Sequence, residues 1–226
     1  MKSKVIANFD TLMNRDIYKE KILDFLQHFQ KNKTTLSIHR GLYLYGKSGI
    51  GKTTFITNFL RENNYDMIYY DSSDIRNKNI VELLTNDNMS SVNVHSMFTK
   101  KRKQIVIVMD DIDCMNNGDK GGINSLIKII RSKKTKKQKQ EEISMNPIIC
   151  IGNNHVDKKI KELSNICLSF ELNEPNNKNI ERLLSTQITD EKYEMSKLVS
   201  FIDSDLRRFW LIVDAISKQE ISSETL

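Results

Sequence analysis

Residues Gly46-Lys47-Ser48-Gly49-Ile50-Gly51-Lys52-Thr53 carry the spacing G-x-x-x-x-G-K-[ST]. Glycines at these positions let a backbone turn tightly enough for its N–H groups, and the positive end of a following helix, to face a β-phosphate. In such a loop Lys52 reaches the β- and γ-phosphates and Thr53 holds Mg²⁺. The apolar run Leu42-Tyr43-Leu44-Tyr45 precedes the motif, and Thr54-Phe55-Ile56-Thr57-Asn58-Phe59-Leu60 follows it as a helix. The candidate phosphate-binding set is therefore Gly46 to Thr53 with Thr54.

A second chemical signal stands far along the chain. Ile105-Val106-Ile107-Val108-Met109 reads as a buried strand and ends in two carboxylates, Asp110 and Asp111. An acidic strand end is the other half of a nucleoside-triphosphatase site. The plain alternative is a glycine-rich turn beside an unrelated core strand; the order strand, loop, helix, distant acidic strand end argues against it. For Asp110 and Asp111 themselves, a helix cap or turn is the competing role.

The elements that must position these groups are legible as alternating strands and helices, the sign of an α/β doubly wound sheet. The expected strands are Gly41 to Tyr45, Met67 to Asp71, Ile105 to Met109, Ile148 to Gly152 and Cys167 to Leu172. Apolar residues at Ile17, Ile22, Phe25, Leu26 and Phe29 predict a helix covering one face, with further helices from Asp74 toward Leu84 and from Asn124 to Ile130. Turn residues cluster at Asn173-Glu174-Pro175-Asn176-Asn177, which sets a domain boundary: residues 1–173, then 174–226. Beyond it Ile180 to Leu184, Met195 to Ile202 and Leu206 to Ile216 read as helices of a small all-helical domain.

Composition narrows the class. A chain of 226 residues with 38% hydrophobic and 28% charged residues is that of a globular protein. No apolar run approaches the roughly 20 residues that span a bilayer, and no secretory signal opens the chain, so no membrane partner and an intracellular site are expected. Cys114, Cys150 and Cys167 form no C-x-x-C pair, and His28, His39, His95 and His155 are scattered without ligand spacing, which leaves no zinc site. The net charge of +6 points to an anionic partner, nucleic acid first, although a chain rich in Lys, Asn and Ile also reflects coding bias. The basic run Arg131-Ser132-Lys133-Lys134-Thr135-Lys136-Lys137-Gln138-Lys139 repels itself and reads as a mobile loop.

From Val106 onward the chain resembles the clamp-loader ATPases of the AAA+ class, most of all the large subunit of replication factor C. The resemblance rests on Met109-Asp110-Asp111-Ile112-Asp113-Cys114-Met115, Asp119-Lys120-Gly121-Gly122-Ile123-Asn124-Ser125-Leu126-Ile127, Pro147-Ile148-Ile149-Cys150-Ile151-Gly152-Asn153, Lys159-Ile160-Lys161-Glu162-Leu163 and Asp205-Leu206-Arg207-Arg208. It implies a P-loop NTPase AAA+ module: a five-stranded parallel sheet flanked by helices, a helical C-terminal lid, and ATP with Mg²⁺ bound between base and lid. It implies that Asp110, at the end of the strand beside the P-loop, acts on Mg²⁺ together with Thr53. Asp111 is then the general base, Asn153 holds the same water or the γ-phosphate, and Arg207 brings a positive charge from the lid to that phosphate. Turn chemistry is the alternative for Asn153, and a surface salt bridge for Arg207, with Arg208 adjoining as the other candidate. The implied activity is ATP hydrolysis coupled to loading a sliding clamp on primer-template DNA, at a nuclear or, for a virus, a cytoplasmic replication site. Arg131, Lys133, Lys134, Lys136, Lys137 and Lys139 are the candidate DNA contacts, because neighbouring segments in clamp loaders line the DNA chamber.

The chain departs from that family pattern in several places. Asp111 stands where Glu is usual, which draws the carboxylate back by about one bond length; misplacement by about 1 Å can cost on the order of 100-fold in rate. In Ser164-Asn165-Ile166-Cys167, Ile166 stands where small subunits carry the arginine finger that reaches into a neighbour's ATP site, so the chain resembles a subunit that receives a finger from other AAA+ subunits without giving one. Asn14 replaces the glycine usual in the stretch beside the adenine, and no collar is expected before Leu226. Two other readings stay open: a different AAA+ machine such as a helicase loader, and a non-hydrolysing nucleotide-dependent scaffold.

Overall fold

Apolar residues run without a break through Ile105–Met109 and Ile148–Gly152, and both segments are buried along their whole length. Only a strand covered on both faces needs that pattern. A computed structural model describes residues 9–36, 38–71, 103–117, 122–133, 135–136, 144–153, 157–188 and 193–218. The strands are β1 (Gly41–Tyr45), β2 (Asp66–Tyr70), β3 (Ile105–Met109), β4 (Ile148–Gly152) and β5 (Leu168–Glu171). They form one five-stranded sheet in the order β2-β3-β4-β1-β5, with every pairing parallel.

Two sequence expectations shift here. The edge strands end a residue or so from their expected limits, β2 without Asp71 and β5 without Cys167 and Leu172; their partial burial gives the apolar pattern less definition. More important, β4 lies between β1 and β3, so the acidic strand is not the hydrogen-bonded neighbour of the strand that feeds the P-loop. Asn153, which follows β4, belongs to that neighbour.

The described helices are α1 (Asp16–Lys31), α2 (Lys52–Glu62), α3 (Gly122–Ile130), α4 (Lys158–Ile166), α5 (Asn177–Gln187), α6 (Met195–Ile202) and α7 (Leu206–Ser217), with a 3₁₀ turn at Ile112–Asn117. In α1 the buried stripe is Ile22, Phe25, Leu26 and Phe29. Ile17, assigned to that stripe from sequence, is 61% exposed, because a five-residue step to Ile22 falls off a 3.6-residue period. Helix α4 is capped by Asp157, whose carboxylate accepts the Lys159 N–H at 3.0 Å, and α5 by Asn176, which accepts the Asn179 N–H at 2.8 Å. The helix expected from Asp74 toward Leu84 lies outside the described residues.

Two compact units emerge. One comprises Lys19–Tyr45 and Thr53–Glu171, the sheet with its helices; its core joins Ile107, Met109, Ile148 and Cys150 to Leu126, Ile130, Ile160 and Leu163. The other comprises Met1–Tyr18, Gly46–Lys52 and Leu172–Leu226. Its core is Ile180, Leu184, Leu198, Ile202, Leu206 and Phe209 with Met13. This second unit thus joins the P-loop and the N-terminal segment to the C-terminal residues Leu172–Leu226. Among the described residues no helix is long and apolar enough to cross a membrane.

Ile107 is fully buried at the centre of β3. Ile107→Val should cost about 0.5–1.5 kcal/mol and Ile107→Ala about 2–5 kcal/mol of unfolding free energy. Urea titration of both variants checks this; equal costs would contradict the packed environment.

Candidate functional site

The P-loop follows β1 directly, and its glycines do what the motif requires. Gly49 and Gly51 have φ of 85° and 81°, the left-handed region that L side chains rarely adopt. A Cβ on Gly49 would also lie 2.4 Å from the Asp205 carboxyl carbon, and one on Gly46 2.6 Å from the Leu172 carbonyl oxygen. The loop is held from both sides: the Leu206 N–H donates to the Gly49 carbonyl at 2.9 Å, and the Arg15 guanidinium donates to the Ile50 carbonyl. Arg15 is buried, lies 3.7 Å from Asp10 and stacks over the Phe9 ring at 5.5 Å. Burial lowers its pKa, and Asp10 opposes that shift. These bonds explain why the loop joins the C-terminal helices and the N-terminal segment in one unit.

Lys52 is buried, and its ammonium donates to the carbonyls of Gly46 at 3.0 Å and Lys47 at 2.9 Å. The lysine thus lies across the loop it must serve. Lys47 instead points to solvent and pairs with Glu174 at 3.1 Å.

Of the two adjacent arginines, Arg207 is the one at the loop. Its guanidinium donates to Ser48 Oγ at 3.4 Å and to both Asp205 oxygens, from Nε to Oδ1 at 3.0 Å and from Nη2 to Oδ2 at 2.8 Å. Asp205 also caps α7 by accepting the Arg207 backbone N–H at 2.8 Å. Arg208 turns away, donating to the Phe201 carbonyl at 3.1 Å and lying over its ring. Arg207 makes the surface ion pair considered as its alternative role, and makes it beside the phosphate loop.

In the sheet unit, Thr53 opens α2 with its hydroxyl donating to Asp110 Oδ2 at 2.7 Å. The Tyr69 hydroxyl donates to the same oxygen at 2.6 Å, and the Asp111 N–H donates to Oδ1 at 3.0 Å. Burial first, then the bond to Asp110, hold the Tyr69 phenol well above its usual range. Asp111 is exposed and has φ of 51°. Asp is among the few L residues that tolerate this conformation, whereas a longer side chain gains no local hydrogen bond from it. Asn153 is exposed just past β4, its backbone N–H donating to Asp113 Oδ2. Gly152 makes that approach possible: a Cβ there would lie 2.6 Å from the Tyr43 hydroxyl and 3.0 Å from Asp113 Oδ1. Burial, then the nearby Asp113, push the Tyr43 phenol up. Thr54 is exposed on α2, where its carbonyl accepts from Thr57 at 3.1 Å.

The basic run is not uniform. Lys133 is buried, its backbone N–H donating to the Leu36 carbonyl at 2.9 Å and its ammonium to the Lys128 carbonyl. A lysine spent on a carbonyl inside the protein is not available to a phosphate, which removes Lys133 from the candidate DNA contacts. Arg131 is half-buried and Lys136 exposed; Lys134, Lys137 and Lys139 lie outside the described residues. Ile166, in the finger position, packs against the sheet's core.

Taken unit by unit, these residues fit the parts of a nucleoside triphosphate with Mg²⁺. The loop offers left-handed glycines and a buried lysine, while Thr53 and Asp110 offer hard oxygens already hydrogen-bonded to each other. Among the described residues no group of three or more His, Cys, Asp or Glu could hold a metal ion. Mg²⁺ is commonly held by one or two protein oxygens plus substrate phosphates. Arg15 and Tyr69 went unread in the sequence, since neither belongs to a linear motif; Asp113 and Asp205 stood there only within stretches that carry the family resemblance, with no role of their own, and Asp205, just before an apolar helical run, also carried the signal of an N-cap.

The bond from Arg207 holds the Asp205 carboxyl below its ordinary value of 3.8. A depressed acid contributes stability above its unfolded pKa and loses it as pH falls through the folded value. Asp205→Asn keeps a capping oxygen. Its thermal midpoint should therefore fall less than wild type's between about pH 4 and pH 2; parallel midpoint curves would refute the coupling.

Residues 42–172 match the family described as ATPase family associated with various cellular activities (AAA). The chain is 27% identical over 192 residues to replication factor C subunit 1 of Saccharomyces cerevisiae, covering 80% of this chain and 21% of that protein. It is 26% identical over 188 residues to the replication factor C large subunit of Nanoarchaeum equitans, covering 83% of this chain and 39% of that protein. For replication factor C subunit 1 of Arabidopsis thaliana the identity is 29% over 170 residues, 70% of this chain and 17% of the relative. The chain thus spans between about a sixth and two fifths of these relatives' lengths. They come from eukaryotes and an archaeon and give no support to a viral replication site. By that match over more than half its length, and with a phosphate loop, acidic strand end and parallel sheet in place, this chain belongs to the AAA family of ATPases.

Proposed function

We propose that this chain binds and hydrolyses ATP as a clamp-loader subunit, coupling the nucleotide to loading of a sliding clamp on primer-template DNA. The observation that carries the nucleotide part is the Thr53–Asp110 bond. A hydroxyl that gives its proton to a carboxylate keeps its lone pairs for a cation, and the neighbouring loop supplies the phosphate donors. The clamp-loader part is supported by the resemblance to replication factor C large subunits, and by the positive net charge.

In this reading Gly46 to Thr53, with Thr54 behind them, hold the triphosphate, and Thr53 and Asp110 hold Mg²⁺. When bound, Mg²⁺ neutralises charge on the phosphate oxygens. Asp111 accepts a proton from the attacking water, and the Asn153 amide orients that water. Arg207 leaves Asp205 for the γ-phosphate, a trade between two anions that keeps its charge paired throughout. The finger position would serve a neighbour's site, and with Ile166 there this chain has no arginine to give; the arginine for its own site therefore comes from a different AAA+ subunit and not from a second copy of this chain. The residues 174–226 act as the lid of a base formed by residues 1–173.

ATPase assays with and without primed DNA and clamp test this directly. Lys52→Ala should abolish nucleotide binding, and Asp111→Asn should keep binding while lowering kcat by about 100-fold or more. Wild-type turnover by Asp111→Asn would remove the base assignment. Nucleotide binding with no turnover under any condition would favour the scaffold reading, which the short Asp111 side chain and Ile166 support.

The DNA contacts are proposed for Arg131, Lys134, Lys136, Lys137 and Lys139. Changing the four lysines to Gln should weaken primed-DNA binding and reduce the slope of log K against log salt by about 0.9 for each phosphate that is no longer neutralised. An unchanged slope would place DNA elsewhere.

A further inference from the structure

We propose that Tyr69 is a positioning residue for the metal site, its hydroxyl fixing the Asp110 carboxylate in the orientation that receives the divalent cation. The inference rests on the ATP reading above and deepens it. Tyr69 stands on β2 opposite Val108 of β3, two residues short of Asp110 in that register. Its hydroxyl and that of Thr53 both donate to Oδ2, at 2.6 Å and 2.7 Å, while the Asp111 N–H donates to Oδ1 at 3.0 Å. Three donors on two oxygens define the carboxylate plane, and the lone pairs they leave define where a cation or its water can approach.

Packing alone does not account for the contact. Tyr69 lies on an edge strand and is 40% exposed, whereas Asp110 is 7% exposed. The phenol lies against a nearly buried carboxylate although much of its own surface faces solvent. Without it, Oδ2 keeps one side-chain donor, Thr53, which is also the group expected to ligate the cation. Donors behind a ligating carboxylate commonly change metal affinity by about 10- to 100-fold when removed. Phenylalanine keeps the ring and deletes only the donor.

The test uses the full chain with Mn²⁺ as the probe and saturating ADP, reading free Mn²⁺ by electron paramagnetic resonance. Tyr69→Phe should bind Mn²⁺ about 10-fold more weakly, with ADP affinity in EDTA and the thermal midpoint unchanged. In an Asp110→Asn background the same change should have no further effect, because Tyr69 acts through that carboxylate. Wild-type or tighter Mn²⁺ binding by Tyr69→Phe, or an equal loss in both backgrounds, overturns the proposal while leaving the ATP reading intact. Failure of the wild-type chain to bind ADP or ATP, with or without metal, overturns both.

Discussion

Parallel pairing is the constraint on which the rest of the molecule depends. In a parallel sheet every strand delivers its next residues to the same edge, so groups far apart in sequence arrive together without any local turn to join them. The registers make this concrete. Tyr45 is level with Gly152, and Met109 with Cys150, so β4 runs two residues past the end of β3. At about 3.3 Å per residue, Asn153 is carried beyond the level of Asp110 by about 7 Å. A strand order with β4 between β1 and β3 also leaves a gap of two strand spacings between the first strand and the acidic one, on the order of 10 Å. The Thr53 side chain meets Asp110 across that gap because it comes from α2, a helix crossing over the sheet, and not from a strand.

What could be read from sequence follows from this. The buried strands β1, β3 and β4 were legible to the residue, because burial on both faces imposes an unbroken apolar run. The P-loop was legible because all its parts are consecutive. Strand order was not: nothing in Ile148–Gly152 says that it inserts between β1 and β3, and the partners of Asp110 depend on that order. Tyr69 reads as one more aromatic in an edge strand until β2 is laid against β3. Ile17 shows the opposite failure, an apolar residue counted into a stripe that its spacing does not reach.

Two departures from the family pattern share one physical basis. Asn14 and Asp111 both have positive φ, 55° and 51°. Asn and Asp are the residues other than glycine that accept the left-handed region most readily. Asn14 therefore reproduces the backbone that glycine would give. Asp111 exchanges side-chain length for compatibility with a turn tightened by its own N–H on Asp110.

Asp205 holds two different things with one carboxylate. Its Oδ1 accepts both the backbone N–H and the Nε of Arg207, while Oδ2 takes the outer guanidinium nitrogen. The helix start uses only the backbone half of that arrangement. The arginine side chain can therefore swing off without uncapping α7, and the Leu206 N–H that grips Gly49 stays where it is. Movement of one charge is thereby mechanically insulated from the helix that carries it: the guanidinium can change partners on the timescale of a side-chain rotation, with no refolding of the turn beneath it.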